Sequence, residues 1–127
     1  MQKRKPKILI IEDDELLSGM YITKFTKEGF DVIFAENGTI GLAKAQKNKP
    51  ELILLDILLP DSNGFEILKK LKDNGSTALI PVIILTNLSQ ESDVKKGYEL
   101  GAVDYLVKVY NIPSDVVDKV KARLRLK

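Results

Sequence analysis

The chain predicts an α/β fold, a (βα)5 doubly wound parallel sheet of five strands, from three features. Apolar runs alternate with segments of helical period along all 127 residues. The runs at 8–11, 52–55 and 82–85 are apolar at every position, as strands covered by helices on both faces require. Four runs also stop at a polar residue that a strand would not choose: Glu12-Asp13-Asp14, Asp56, Thr86 and Lys108.

The elements follow in order. After the first strand comes a helix through about residue 28, with Leu17, Tyr21 and Phe25 in one stripe and Gly29 as its stop. Residues 31–35 read as a short strand, and Asn37-Gly38 turns the chain into a helix through about residue 47. Lys49-Pro50 breaks that helix before the run ending at Asp56. Pro60 and Asn63-Gly64 punctuate the next loop, and a helix over about 65–73 turns Leu68 and Leu71 inward. Asn74-Gly75-Ser76 closes it, and Pro81 opens the strand ending at Thr86. Ser89 is the expected N-cap of a helix to about residue 100, thin in apolar residues (Val94, Tyr98, Leu100) and stopped by Gly101. The fifth strand spans about 104–107. Pro113 begins a last helix with Val116, Val117, Val120 and Leu124 inside. By analogy of pattern the sheet takes the flavodoxin-like order 2-1-3-4-5.

Composition narrows the chemistry. Twenty basic against eighteen acidic side chains leave +2, too little for nucleic-acid binding by bulk charge. The basic residues of the last helix (Lys119, Lys121, Arg123, Arg125, Lys127) read as its solvated side. With no cysteine there is no disulfide or thiolate site, which fits a reducing cytoplasm. With no histidine, imidazole catalysis and His-ligated zinc are excluded. No apolar stretch is long enough for a bilayer, and the basic lead-in at 1–6 lacks the apolar region of a signal peptide.

In parallel strands all four polar endings lie on the carboxyl edge, where open α/β sheets bind ligands. The first and third strands are neighbours in this order, so Glu12 and Asp13 come close to Asp56. Three such carboxylates repel unless a cation is present, and oxygen-only ligands suit Mg²⁺ best. Lys108 and Thr86 offer a point charge and a hydroxyl, which suit a phosphoryl group. Without Ser, Cys or His at the centre, the nucleophile is a carboxylate, and Asp56 is placed to form an acyl phosphate. Each residue also has a structural reading. Asp13 or Asp14 could cap the first helix, Thr86 could serve β-propensity, and Lys108 could be a solvated charge.

The segments 8–14, 52–64, 82–86 and 101–108 resemble the receiver (response regulator) domain of two-component signalling over essentially the whole chain. The resemblance implies a single receiver domain over 1–127, with no effector domain. It makes Asp56 the phosphoacceptor from a histidine kinase or phosphotransfer protein. Glu12, Asp13, Asp56 and the Leu58 backbone carbonyl would hold Mg²⁺, and Thr86 and Lys108 would contact the phosphoryl group. Thr86 and Tyr105 would form the switch, and Leu58 and Leu88 would tune the acyl-phosphate lifetime. Two leucines there position no water, so slow autodephosphorylation is expected. The readout would be the face of the fourth helix, fifth strand and fifth helix, acting on a downstream protein or an effector domain. Dimerisation through the last two helices is open to it, and the setting is cytoplasmic.

The sequence departs from the family at two places. Val109 follows Lys108 where many receivers have a cis proline, so a trans bond and a rearranged loop are expected. Asn87 follows Thr86 where a small residue is usual, which narrows access to the phosphoryl group. Rival classes are a pseudo-receiver that binds without being phosphorylated and an aspartyl phosphatase of the haloacid dehalogenase type. The phosphatase wants its nucleophile after the first strand in an Asp-x-Asp pair, where this chain has Glu12-x-Asp14. A flavin site wants glycines and hydroxyls there.

Overall fold

The computed structural model describes residues 5–126, so Met1–Arg4 of the basic lead-in and Lys127 lie outside the described residues. The strands are β1 (Lys7–Ile11), β2 (Asp31–Ala35), β3 (Leu52–Leu55), β4 (Val82–Thr86) and β5 (Asp104–Val107). They alternate with α1 (Glu15–Lys27), α2 (Gly38–Asn48), α3 (Gly64–Asp73), α4 (Glu91–Glu99) and α5 (Pro113–Arg123). All strands are parallel, in the predicted order β2-β1-β3-β4-β5.

Alternation along each strand splits the core in two. Ile8, Ile10, Leu52, Leu54, Ile83, Leu85 and Leu106 pack with Tyr21 and Phe25 of α1 and Val116, Val117 and Val120 of α5. Leu9, Ile11, Ile53, Leu55, Val82 and Ile84 pack with Ala45 of α2 and Phe65, Ile67, Leu68 and Leu71 of α3. The glycine at 41, unexplained by helix propensity, has a packing cause: a Cβ there would stand 2.6 Å from Ile11 Cδ1. α2 therefore lies hard against β1.

Three helix starts are capped as their residue types suggest. The side chains of Asp14, Asn37 and Asn63 accept from the N–H groups of Leu17, Ile40 and Phe65 at 3.0, 2.8 and 2.8 Å. The expected cap at Ser89 is corrected. α4 starts one residue later, with Gln90 as N-cap and no side-chain cap bond. The Tyr105 hydroxyl holds the Leu88 carbonyl, and this tertiary tie keeps the chain extended through Gln90. Glu91 and Asp93 supply the favourable charge of the first turn instead.

The basic side of α5 is also more than solvated surface. Lys121 Nζ lies 2.7 Å from Glu28 Oε1, joining α5 to the end of α1, and holds the Glu28 carboxyl below its ordinary range. Arg123 donates to the Val103 carbonyl at 3.3 Å. Among the described residues no helix is long and apolar enough to cross a membrane.

Candidate functional site

The polar strand endings converge because β1 lies between β2 and β3. Ladder bonds continue one residue past the strands: the Glu12 N–H donates to the Ala35 carbonyl and the Asp56 N–H to the Ile11 carbonyl, each at 3.0 Å. The backbone thus points both side chains into the same cleft. Carboxylate oxygens of Glu12, Asp13 and Asp56 all lie within 4.8 Å of one another. Asp14 is spent on the α1 cap, which leaves exposed Asp13 free to face the cluster. Behind Asp56 the chain turns into α3 with no room for a side chain at 64, where a Cβ would stand 2.5 Å from the Asp56 carbonyl oxygen. Only glycine allows that approach.

Lys108 completes the cluster from the turn that follows β5. Its ammonium lies 2.7 Å from Asp56 Oδ2 and also donates to Glu12 Oε1. Asp56 Oδ1 accepts the Leu58 N–H at 3.0 Å. Glu12 Oε2 is buried and has no hydrogen-bond partner among the described residues.

The two buried carboxyls are pushed in opposite directions. Burial, then the neighbouring Asp56, pushes Glu12 up to about 8, against the pull of Lys108. Burial also pushes Asp56 upward, but the neighbouring Glu12, Lys108 and Thr86 groups outweigh it and hold Asp56 below its ordinary value. Burial opposes the Lys108 charge, yet its bonds to Asp56 and Glu12 raise it. Asp56 is therefore an ionised carboxylate beside the Lys108 ammonium.

Thr86 is fully buried at the end of β4, and its hydroxyl accepts the Leu88 N–H at 3.4 Å. Tyr105 is turned inward, 8% exposed, and burial pushes its hydroxyl up to about 12. The two leucines expected to flank the site are placed differently. Leu88 is half-buried against the core, whereas Leu58 is 55% exposed. The Lys108–Val109 bond is trans, since no cis bond occurs among the described residues. A 3₁₀ turn, Lys108–Tyr110, keeps the ammonium in place.

Two contacts near the site had no sequence signal. Asp61, in the β3–α3 loop, accepts from the N–H groups of Gly38 and Thr39 at 2.9 and 3.0 Å and from the Thr39 hydroxyl at 2.7 Å. These bonds hold its carboxyl far below the ordinary range and fasten the loop to the start of α2. Asn87 Oδ1 accepts the Val109 N–H at 3.1 Å. The sequence flagged Asn87 only as narrowing access to the phosphoryl group and gave no sign of either contact, because both partners are distant in sequence.

A family description, "Response regulator receiver domain", matches residues 8–121. The "DNA-binding dual master transcriptional regulator RpaA" of Synechocystis sp. is 39% identical over 120 residues, covering 94% of this chain and 49% of that protein. The chain thus spans about half the length of the curated relatives it matches. The receiver domain protein (CheY-like) from Methanospirillum hungatei superposes with a TM-score of 0.89 at 29% identity, covering 96% and 95% of the two chains. The Mn(2+)-bound form of response regulator Rcp1 gives a TM-score of 0.80 at 30% identity, with 92% of each chain covered. The chain belongs to the response regulator receiver domain family of two-component signalling.

Proposed function

We propose that this domain is a phosphorylation-operated switch whose phosphoacceptor is Asp56. The observation that carries the reading is an ionised Asp56 within 2.7 Å of the Lys108 ammonium and inside a three-carboxylate cluster. An Asp56 carboxylate oxygen attacks the phosphorus of a phosphohistidine on a histidine kinase or phosphotransfer protein. The phosphorus–nitrogen bond breaks, the imidazole keeps its electron pair, and an acyl phosphate remains on Asp56. The domain acts on itself and is not an enzyme in the turnover sense.

The donor set fits a hard divalent cation. The partnerless buried Glu12 Oε2 and the raised proton affinity of Glu12 are what a cluster built around positive charge shows without it. Glu12, Asp13, Asp56 and the Leu58 carbonyl would hold Mg²⁺. Neutralising charge on the transferring phosphoryl group is the chemistry a bound Mg²⁺ supplies there. Thr86 and Lys108 then hold the phosphoryl oxygens. About −1.5 to −2 charges arrive on Asp56, which draws the Thr86 hydroxyl toward it and loosens its bond to the Leu88 N–H. Tyr105 holds the carbonyl of that same Leu88, so the change passes to the face made by α4, β5 and α5. A downstream protein or an effector domain reads that face. Leu58 and Leu88 bring no polar side-chain atom to orient an attacking water, so the adduct decays slowly.

Intact mass after incubation with acetyl phosphate and Mg²⁺ tests the reading. One phosphoryl adduct is expected on the wild type and none on Asp56→Asn. No adduct from acetyl phosphate or from a phosphorylated phosphotransfer protein would instead make the domain a phosphorylation-independent binding module.

A further inference from the structure

The position of Lys108 depends on a turn that leaves the sheet. Strand pairing ends at Thr86↔Val107, and one residue later the ammonium must already be over Asp56. The turn Lys108–Tyr110 is fastened on two sides. Asn111 closes it from behind, its N–H donating to the Lys108 carbonyl at 3.2 Å and its amide to the Val107 carbonyl at 2.9 Å. Asn87 closes it from the side, accepting the Val109 N–H at 3.1 Å. That second fastening comes from the residue directly after Thr86, so it bridges the two loops that carry the hydroxyl and the ammonium.

The bond needs both residue types: a proline at 109 would have no N–H to give, and an alanine at 87 would have no side-chain acceptor.

We infer that Asn87 is a positioning residue for phosphoryl transfer, bridging the Thr86 loop to the Lys108 turn so that the ammonium stays on Asp56. The inference rests on the reading of Asp56 as phosphoacceptor. Asn87 and Val109 are both exposed, so a freed Val109 N–H passes to water and the fold loses little. Transfer loses more, because small displacements of a group at the reacting centre can cost up to about 100-fold.

The test combines two readouts on the wild type, Asn87→Ala, Asn87→Asp, Val109→Pro and the Asn87→Ala/Val109→Pro double variant. The first is amide hydrogen exchange at Val109, which needs no phosphorylation. The second is the rate of phosphoryl uptake from acetyl phosphate with Mg²⁺. Asn87→Ala is expected to speed Val109 exchange and slow uptake about tenfold, within that range, with an unchanged melting temperature. Asn87→Asp, which keeps an acceptor, restores both readouts. In the Val109→Pro background, Asn87→Ala changes nothing further. Unchanged exchange, an unchanged uptake rate in Asn87→Ala, or an equal slowing in the Val109→Pro background would each overturn the inference. If Val109→Pro does not fold, the contrast between Asn87→Ala and Asn87→Asp decides. If the wild type takes up no phosphoryl group, the proposed function fails, while Val109 exchange still reads the bridge.

Discussion

α3 and α4 cover the same face of the sheet and are held there by different means. α3 buries Phe65, Ile67, Leu68 and Leu71, and begins on a side-chain cap from Asn63. α4 has no side-chain cap, and of its residues only Gly97 is buried. Apolar burial at about 1.5–3 kcal/mol per large side chain therefore anchors α3, which starts eight residues after Asp56. α4 is docked instead by close approach and polar ties. A Cβ at 97 would stand 2.7 Å from Ile84 Cδ1 and 2.9 Å from the Tyr105 ring. Tyr98 reaches Asp104 at 3.3 Å, and the Lys96 ammonium lies 4.8 Å from the centre of the Phe65 ring. The difference separates a helix anchored by apolar burial beside the acidic cluster from one held mainly by polar ties and a close approach.

The sharpest way to break this contrast is to truncate both helices. Leu68→Ala should cost about 2–5 kcal/mol, because Leu68 is wholly enclosed. Val94→Ala, on half-buried α4, should cost about 1 kcal/mol. Urea melts compare them directly, and equal losses would mean that α4 is anchored like α3.

Gly97→Ala comes next. Overpacking against Ile84 and Tyr105 costs about 1–3 kcal/mol, and the better helix propensity of alanine returns up to about 1 kcal/mol. A net loss is expected, with NMR shifts of the Tyr105 ring reporting displacement of α4. A more stable variant with an unmoved ring would show that the close approach at 97 is not what docks the helix.

Tyr105→Phe should have the smallest effect, about 0.5–1.5 kcal/mol, by removing the donor to the Leu88 carbonyl. It also has a signature in pH. Burial raises the Tyr105 hydroxyl from its ordinary value of 10 to about 12. The folded state therefore keeps this proton where the unfolded chain releases it. The contribution is complete below pH 10 and is lost as pH rises toward 12. The stability gap between wild type and Tyr105→Phe should accordingly narrow over that window in chemical melts. A constant gap would remove the hydroxyl from the tie between β5 and the β4–α4 loop.

Much of the site was legible because its residues sit at strand ends. Once the runs at 8–11, 52–55 and 82–85 read as buried parallel strands, the edge position of Glu12, Asp13, Asp56 and Thr86 followed from topology. Lys108 was found by the same logic, whereas Tyr105, inside β5, came from the family resemblance alone. The N-cap of α4 was misplaced because Ser89 is a good local cap, and local propensity lost to the Tyr105–Leu88 tie. Helix propensity likewise could not say why residue 41 is glycine, since the reason is the Ile11 side chain.

What the sequence determined by itself is the alternation of strands and helices and the acidic strand ends, because hydrophobic period and chain punctuation are local and repeated five times over; the strand order came by analogy of pattern. Only the tertiary structure decided how that edge is charged and held. Burial raises Glu12 while neighbouring groups hold Asp56 down, Asp61 fastens the β3–α3 loop to α2, and Asn87 meets Val109 across 22 residues. Those outcomes depend on desolvation and on side chains that become neighbours only when the chain closes, and no local pattern encodes either.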